Sequence, residues 1–533
     1  MVNGERTAPF AQRLALLALA GLVLYLFLID LSWTYPPDPD SASIMLAAQD
    51  VTRGNVTLRG WTLPADPYVS FDLRPFDLPL YAAGVALAGV GPAPLHTVPT
   101  ILYVGLILIV GVAVAASPAP ATPARRLLGV IAAVIPLALP SHILGYLGLI
   151  GSNHISAIAA SLAALLALEA AARSDTPVTR HTLALVALAF VLLTLAVVGD
   201  TTALAIAVLP VLLVAAGVLR TAPDERAQMR RRCAAAALVA IAAVGSAALL
   251  RRLAVHSGGI DIAPVVLQVR PPHFAFALRS LVRGLISLSN GNPAVPAAWT
   301  VPPNSSTDIR VVVFGISLYF LWRVPVNWLR GRRVDWLSLV LSVGSVIVLA
   351  GYVLWGIGPL RYLIPVAVFA SVVMGREIAT WAWPRAARSW VVPGLCAAVV
   401  CYAVAPVGRL DLGPAPSPAA FVGSWLEKHD LNEGYGDWLD APVITATTKG
   451  SVAVRPVKAD GRRLVPMQFI GRPDWYAAPA RAHFVVFNRF NVNPGSDDSN
   501  VSAAVAAATF GPPDGQAIVG PYLVLIWKAG IGF

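Results

Sequence analysis

Apolar residues in this 533-residue chain gather in long runs separated by short polar connections. A helix needs roughly 20 apolar residues to cross a bilayer. Eleven runs meet or approach that length: 13–30, 95–117, 127–144, 154–172, 181–199, 201–219, 233–254, 310–328, 336–356, 361–380 and 389–408. Pro136 and Pro140 interrupt the third. The first follows Arg6 and Arg13 without a small-residue cleavage site, so it reads as a retained span rather than a signal peptide.

Three longer segments break the rhythm: 31–94, 254–308 and everything from 411. In the first, Tyr35-Pro-Pro-Asp-Pro-Asp-Ser41 is a turn-rich entry to a helix through Ile44, Met45, Leu46 and Gln49, ending at Arg53-Gly54. A second short helix starts at Asp77 and runs towards Val90. Too short or too polar to span, both fit helices lying on the outer membrane surface. In the second segment Phe274, Phe276, Leu278, Leu281 and Ile286 alternate with Arg270, His273, Arg279 and Arg283, a basic amphipathic stretch. Beyond 411 the pattern shortens. Phe421 to Lys428 reads as a helix with Phe421, Trp425 and Leu426 as its apolar stripe. Val443–Thr447, Ser451–Arg455, Phe484–Phe487 and Tyr522–Trp527 read as strands, with a helix around Ser502–Thr509.

Composition sharpens this division. Hydrophobic residues make up 57% and charged residues 13%, about half the charge of an average soluble domain. That excludes a disordered chain, a nucleic-acid-binding protein and an ordinary cytosolic enzyme. Residues 1–410 hold 29 Lys+Arg against 17 Asp+Glu, and residues 411–533 hold 10 against 11. The expected fold is a polytopic α-helical membrane protein of about eleven spans (1–410), carrying a small extracytoplasmic α/β or α+β domain (411–533).

Lys and Arg placement sets the orientation. With the N-terminus in the cytoplasm, the inner loops hold Arg125 and Arg126, Arg173 and Arg180, Arg220 to Arg232, Arg323 to Arg333, and Arg376 to Arg388. The opposite short connections, 145–153, Gly199–Asp200 and 357–360, hold no base. Cys233, Cys396 and Cys401 sit inside apolar runs, without metal-ligand spacing, and read as buried hydrophobes.

Charges at or within a span are costly and invite a functional question. On the outer side lie Asp38, Asp40, Asp77, His142, His154, Asp200 and Arg361; Glu169, Arg376 and Glu377 lie towards the inner ends. Each outer residue has a simpler reading as a cap, a turn or a snorkelling side chain. Their shared side is what points to chemistry. A carboxylate there can act as general base towards a hydroxyl, a second carboxylate or histidine can orient the acceptor, and arginines offer planar donors to a phosphate. These are the parts for moving a sugar off a lipid-phosphate carrier. Asp38, Asp40 and Asp77 are the catalytic candidates, His154 and Asp200 the orienting ones, and Arg361, Arg279 and Arg283 the phosphate ligands. Trp438, Trp475 and Tyr476 could stack on sugar rings or be core aromatics. Asp38-Pro-Asp40 in a proline-rich turn is weak support for a metal, so no metal ligand is assigned and no tightly bound cofactor is expected.

An outer first loop with an acidic residue soon after the first span, surface helices and many short-looped spans resembles the GT-C superfamily of integral-membrane glycosyltransferases. More narrowly, the chain resembles a group of actinobacterial membrane proteins. The matching stretches are Asp40-Ser-Ala-Ser43, Ala48-Gln-Asp50, Gly54 to Trp61, Asp77 to Tyr81, Ser152-Asn-His154, Gly199-Asp200 and Arg361 with Pro365. In the tail they are Tyr435-Gly-Asp-Trp438, Val443-Ile-Thr445, Val454-Arg-Pro456, Trp475-Tyr476, His483 to Val486 and Tyr522 to Trp527. The resemblance implies a polyprenyl-phosphate sugar as donor and a cell-envelope glycan, lipid or protein as acceptor. It further implies Asp40 as base, Asp77 and His154 on the acceptor side, and Arg361 on the phosphate. The acidic pair adjacent in some GT-C enzymes is here split by proline, which leaves Asp38 and Asp40 both open as the base. A transporter or flippase of lipid-linked sugars, or a non-catalytic envelope scaffold, are the alternatives.

Overall fold

The computed structural model describes residues 10–63, 75–118, 121–151, 154–173, 179–221, 227–262, 274–289, 305–332, 334–354, 360–380, 417–467, 471–477, 481–490 and 501–533. Among them, eight helices are long and apolar enough to cross a membrane, or nine if one bent pair is a single span. The long helices are α1 (Phe10–Ser32), α4 (Pro92–Ala115), α7 (Ile155–Ala172), α8 (Arg180–Gly199), α10 (Ala227–His256), α12 (Ser305–Leu329), α13 (Trp336–Leu354) and α14 (Ile364–Thr380). The chain is a multi-pass membrane protein. The expected span at 389–408 lies outside the described residues.

The proline-interrupted third run is α5 (Pro123–Ala138) followed by α6 (His142–Leu149), bent by 82°. Proline cannot continue the helical ladder, and carbonyls freed within a membrane need new donors. Tyr103 donates its hydroxyl to Leu137 O at 2.9 Å, and Arg310 donates to Pro140 O at 3.2 Å. Ser141 then caps α6 by accepting from Leu144 N. The sixth run is also irregular: a π-helical turn (Leu204–Val208) leads into α9 (Leu209–Thr221), with Pro210 at the junction.

Helix α14 is enclosed almost all round. Gly375 and Gly129 bring its backbone against α5; a Cβ on Gly129 would meet Gly375 O at 2.4 Å and one on Gly375 would meet Gly129 O at 2.6 Å. Small residues allow this approach where lipid supplies no hydrophobic driving force between helices. At the end of α14 marked by Arg376, its guanidinium, on a side chain 1% exposed, donates from Nη2 to Glu169 Oε1 at 2.7 Å and to Asp335 Oδ1 at 3.2 Å. Of the inner charges picked out by their rarity, Glu169 and Arg376 join Asp335 in one ion cluster tying α7, α13 and α14, while Glu377 stands 3.9 Å from Arg323.

Between α1 and α4 run α2 (Pro39–Thr52) and α3 (Asp77–Ala88). The sequence placed α2 flat on the membrane surface, and the structure corrects this. Residues Asp40 to Met45, Ala47 and Ala48 are all buried, because α2 is sandwiched between the bundle and the C-terminal domain. One apolar core joins Ile44, Met45 and Ala48 of α2, Tyr81 and Val85 of α3, and Leu95 and Val98 of α4 to Val422, Leu426, Val443 and Ile444.

The C-terminal domain is a six-stranded mixed sheet in the order β5-β4-β3-β6-β8-β7. Its strands are β3 (Glu433–Gly436), β4 (Ala453–Asp460), β5 (Arg463–Pro466), β6 (Ala482–Asn488), β7 (Gly515–Val519) and β8 (Tyr522–Ile531), with helices α15 (Pro418–Lys428), α16 (Ala441–Thr447) and α17 (Ala503–Phe510). β3 runs parallel to both β4 and β6. Two sequence expectations fail here. Val443–Thr447 is helix α16 rather than a strand: β3 and β4 are parallel neighbours, which demands a crossover, and that outweighs the β-propensity of Val, Ile and Thr. In α15 Phe421 is 61% exposed while Val422 and Leu426 are fully buried, so the inward stripe is rotated from the expected one.

Outside the sheet, β1 (Thr62–Leu63) pairs in parallel with β2 (Asp261–Ile262). Asp50, near the end of α2, accepts on Oδ2 from Asn55 Nδ2 (2.7 Å), Trp61 Nε1 (2.8 Å) and Arg472 Nη1 (2.7 Å). Burial acts first against its ionised form, yet these donors together hold the Asp50 carboxyl below the usual carboxylate range. Both long loops and the C-terminal domain are thereby tied to α2. If α2 depends on this shared core, Ile444→Ala should cost about 2–5 kcal/mol. A clearly lowered thermal unfolding midpoint in detergent, with faster proteolysis of the C-terminal domain, is the expected result; an unchanged midpoint would show the two parts to be uncoupled.

Candidate active site

The entry to α2 decides what each of its two aspartates does. Pro39 sits in the first turn, where a missing N–H costs nothing. Asp38 is the N-cap, accepting on Oδ1 from Asp40 N at 2.9 Å and Ser41 N at 3.4 Å. Its other oxygen accepts the Tyr146 hydroxyl at 3.0 Å. Asp40, one residue into the helix, is not the cap. Its Oδ2 accepts from Arg361 Nη1 at 3.1 Å, across 321 residues. Among the described residues, Asp40 Oδ1 has no hydrogen-bond partner. The helix is pinned further by Ser41, whose hydroxyl donates to Ile150 O at 2.5 Å.

Arg361 lies in a short 3-10 turn (Leu360–Leu363) that leads into α14. Its guanidinium stands 5.4 Å from the centre of the Tyr362 ring, and that ring is 5.1 Å from the His154 imidazole. His154 precedes α7 with φ +59° and makes no side-chain cap. A left-handed conformation is uncommon for a residue with a Cβ and recurs at functional sites. The imidazole Nδ1 instead pairs with Asp200 Oδ2. Asp200 closes α8 and also accepts from Thr202 N at 2.8 Å, so its turn role and its histidine contact coexist. Asp77, 1% exposed, lines a small pocket with His154 and Asp200. Asp38, Asp40, Asp77, His154, Asp200 and Arg361 therefore gather at one end of the bundle.

Beside this cluster opens a cavity of about 670 Å³. His154, Thr201, Thr202, Tyr352 and Tyr362 form its polar edge, and Leu209, Leu212, Ile241, Val244, Ile347 and Val348 continue it between the spans. The π-helical turn supplies Leu204, Ala205, Ile206 and Val208 to the wall. Polar groups at the mouth and an aliphatic body suit an amphiphile. Among the described residues, no group of three or more His, Cys, Asp and Glu is arranged to hold a metal ion.

The remaining candidates stand elsewhere. Arg279 and Arg283 are exposed on α11 (Phe274–Leu288). They oppose the buried face of Ala277, Leu281 and Gly284, and Gly284 rests against Leu360 and Leu363. They form no part of the cluster. Trp475 packs edge-on to Trp61, 5.3 Å between ring centres, with Arg455 over its face. Tyr476 is buried, stacks on Tyr435 and donates to Pro456 O at 2.5 Å. Trp438 is half-buried beside β3. Trp475 and Tyr476 hold the domain together, as core aromatics do.

Three contributors escaped the sequence reading. Tyr146 orients Asp38; its clue is a phenol in an apolar run, whose hydroxyl needs a partner. Tyr362 bridges Arg361 to His154. Arg251 donates to Val197 O at 2.5 Å, satisfying the end of α8 just before Asp200.

No family model matches the chain, and no curated protein matches it. Among solved structures it is similar to ArnT from Cupriavidus metallidurans bound to undecaprenyl phosphate, with a TM-score of 0.55 at 10% sequence identity, covering 98% of this chain and 100% of that one. The likeness is one of fold. It extends over nearly the whole of both chains.

Burial, and then the neighbouring Asp40, push the Asp38 carboxyl up from 3.8 to about 6, against the hydrogen bonds from Tyr146, Ser41 and Asp40. The unfolded chain loses this proton first, so the folded state is favoured below about 3.8 and that contribution is lost as pH rises to about 6. The thermal midpoint of the wild type should therefore fall over that window more steeply than that of Asp38→Asn. Parallel profiles for the two would contradict the burial of this charge.

Proposed function

We propose that this chain is a GT-C-type glycosyltransferase. It moves a sugar from a polyprenyl-phosphate donor to a cell-envelope glycan, lipid or protein on the outer face of the bacterial plasma membrane. The observation that carries this is the Asp40–Arg361 pair at 3.1 Å beside an apolar cavity. The lipid tail of the donor occupies the cavity, and its phosphate takes the guanidinium of Arg361 from Asp40. Asp40 is then unpaired as the acceptor hydroxyl arrives, and it accepts that proton while the oxygen attacks the anomeric carbon. The bond from that carbon to the phosphate oxygen breaks, and polyprenyl phosphate leaves with its charge held by Arg361. Arg279 and Arg283 are not needed for this.

Asp38 is a poor base because Tyr146 and two backbone N–H groups already engage its oxygens. It sets the start of α2 and so the position of Asp40. The His154–Asp200 pair, with Asp77 beside it, orients the acceptor. In this reading the N-terminus is cytoplasmic, the C-terminal domain extracytoplasmic, and the spans number eleven, with 201–219 and 389–408 completing the count. Basic residues then mark each short inner loop. The similarity to ArnT, whose structure was determined bound to undecaprenyl phosphate, supports a polyprenyl-phosphate carrier. A flippase would use the same cavity and arginine without a base. Its binding groups are expected near the bilayer midplane, whereas these lie at helix ends.

The test is sugar transfer by the purified full chain from polyprenyl-phosphate sugars to candidate glycan acceptors. Asp40→Asn should lower kcat by about 10²–10⁴-fold. Asp38→Asn keeps a capping side chain and should stay within about tenfold of wild type. Arg361→Ala should lower kcat/KM by at least about 10²-fold, as loss of a charged donor to a developing anion does. Full activity in folded Asp40→Asn would overturn the mechanism; loss confined to Asp38→Asn would move the base.

A further inference from the structure

Helix α11 presents an outward pattern that the proposed reaction does not use. Its inward face, Ala277, Leu281, Gly284 and Leu288, is buried. On the remaining surface Phe274, Leu278, Val282 and Ile286 recur every four residues and are all exposed, Phe274 by 64% and Val282 by 48%. Residues four apart on a helix lie one above the other, so these form an apolar row. Arg279 and Arg283 directly follow Leu278 and Val282, which sets them about 100° further round the helix. Phe276, also exposed, flanks them on the far side. The helix carries no acidic residue. Among the described residues neither arginine has a hydrogen-bond or ion-pair partner.

The place of α11 in the fold gives this pattern its meaning. Its 15 residues are about 22 Å long at 1.5 Å per residue, too short to cross a hydrocarbon core of about 30 Å. Leu281 and Leu288 share a core with Tyr352, near the end of α13, and with Tyr362 and Leu363. From the proline break between α5 and α6, the Ser141 hydroxyl donates to Leu288 O at 2.6 Å. A Cβ on Gly284 would meet Leu363 at 2.8 Å and Leu360 at 2.9 Å. The helix thus lies at the ends of spans, directly on the turn that carries Arg361.

A row of large apolar side chains beside a basic row is the pattern of a helix lying in the membrane interface. Arginine stems run along apolar surface while their heads reach the headgroup layer, where a guanidinium offers paired donors to phosphate oxygens. We infer that α11 is a docking surface for anionic phospholipid. Its apolar row enters the acyl layer, and Arg279 and Arg283 hold the headgroup phosphates. Two positive charges on a helix without a carboxylate favour an anionic over a zwitterionic headgroup. Through Gly284, the seated helix steadies the turn of Arg361. This holds whether or not that arginine serves sugar transfer.

Hydrogen–deuterium exchange tests it, on the full chain reconstituted singly in nanodiscs of phosphatidylcholine alone or mixed with phosphatidylglycerol. Amides of 274–288 should exchange at least about tenfold more slowly in the mixed bilayer, since two arginines at an anionic surface support about thirtyfold. Those of 360–363 should slow with them. Replacing both Arg279→Gln and Arg283→Gln should remove the difference between bilayers without lowering the thermal midpoint, because both side chains are exposed. Val282→Gln should speed exchange of α11 in both bilayers. Inorganic phosphate added to the chain in detergent should protect nothing. Equal exchange in the two bilayers, or a difference that survives the double substitution, would overturn the proposal. Protection by inorganic phosphate as strong as that by the lipid would overturn its assignment to a membrane surface. Protection that appears only with two copies in a disc would assign the face to a second copy instead. Slowed exchange in 274–288 with 360–363 unchanged would overturn the coupling to the turn of Arg361.

Discussion

The ion pair between Asp40 and Arg361 joins two parts of the chain that lie 321 residues apart. One is the first turn of a helix that follows the first span. The other is the turn that opens α14, the most enclosed helix of the bundle. Arg361 begins that strut and Arg376 lies towards its far end, and both are paired with carboxylates. At the far end the Arg376 side chain is only 1% exposed, and its pairing serves to tie α7, α13 and α14. At the near end the Arg361 side chain remains 30% exposed, so the pair is open to exchange with a charged ligand. The same chemistry is structural where it is sealed and available for function where it is not.

Holding Asp40 in place takes more than its arginine. Asp38 caps the start of α2, Tyr146 steadies Asp38 from the far side of a proline break, and Ser41 bonds to Ile150 O. Near the other end of α2, Asp50 gathers Asn55, Trp61 and Arg472. The face between is covered by Val443 and Ile444 of the C-terminal domain. The described residues of that domain therefore frame the site without lending it a reactive group. Its aromatic residues Trp475 and Tyr476 belong to the frame.

Much of this was legible in the sequence for a physical reason. Charges are expensive near a bilayer, so the few at outer span ends, Asp40, His154, Asp200 and Arg361, stood out and do converge. Which of them pair was not legible, because Asp40 and Arg361 are 321 residues apart and His154 and Asp200 are 46 apart. Proline spacing announced the break at Pro136 and Pro140, though not the tyrosine it would deliver. Hydrophobic pattern failed where tertiary context governs. Val443–Thr447 had strand composition but lies between parallel strands; α2 had a surface helix's length but a second domain covers it. Arg279 and Arg283 have the residue type of a phosphate ligand and face away from the site.

The most direct measurement is a structure of the full chain with undecaprenyl phosphate bound. The account expects the phosphate within hydrogen-bonding distance of the Arg361 guanidinium, about 3 Å. The isoprenoid chain should run along Leu209, Leu212, Ile241 and Val348, with Asp40 released from its arginine. A phosphate seated elsewhere, with the Asp40–Arg361 pair intact and the cavity unfilled, would contradict it.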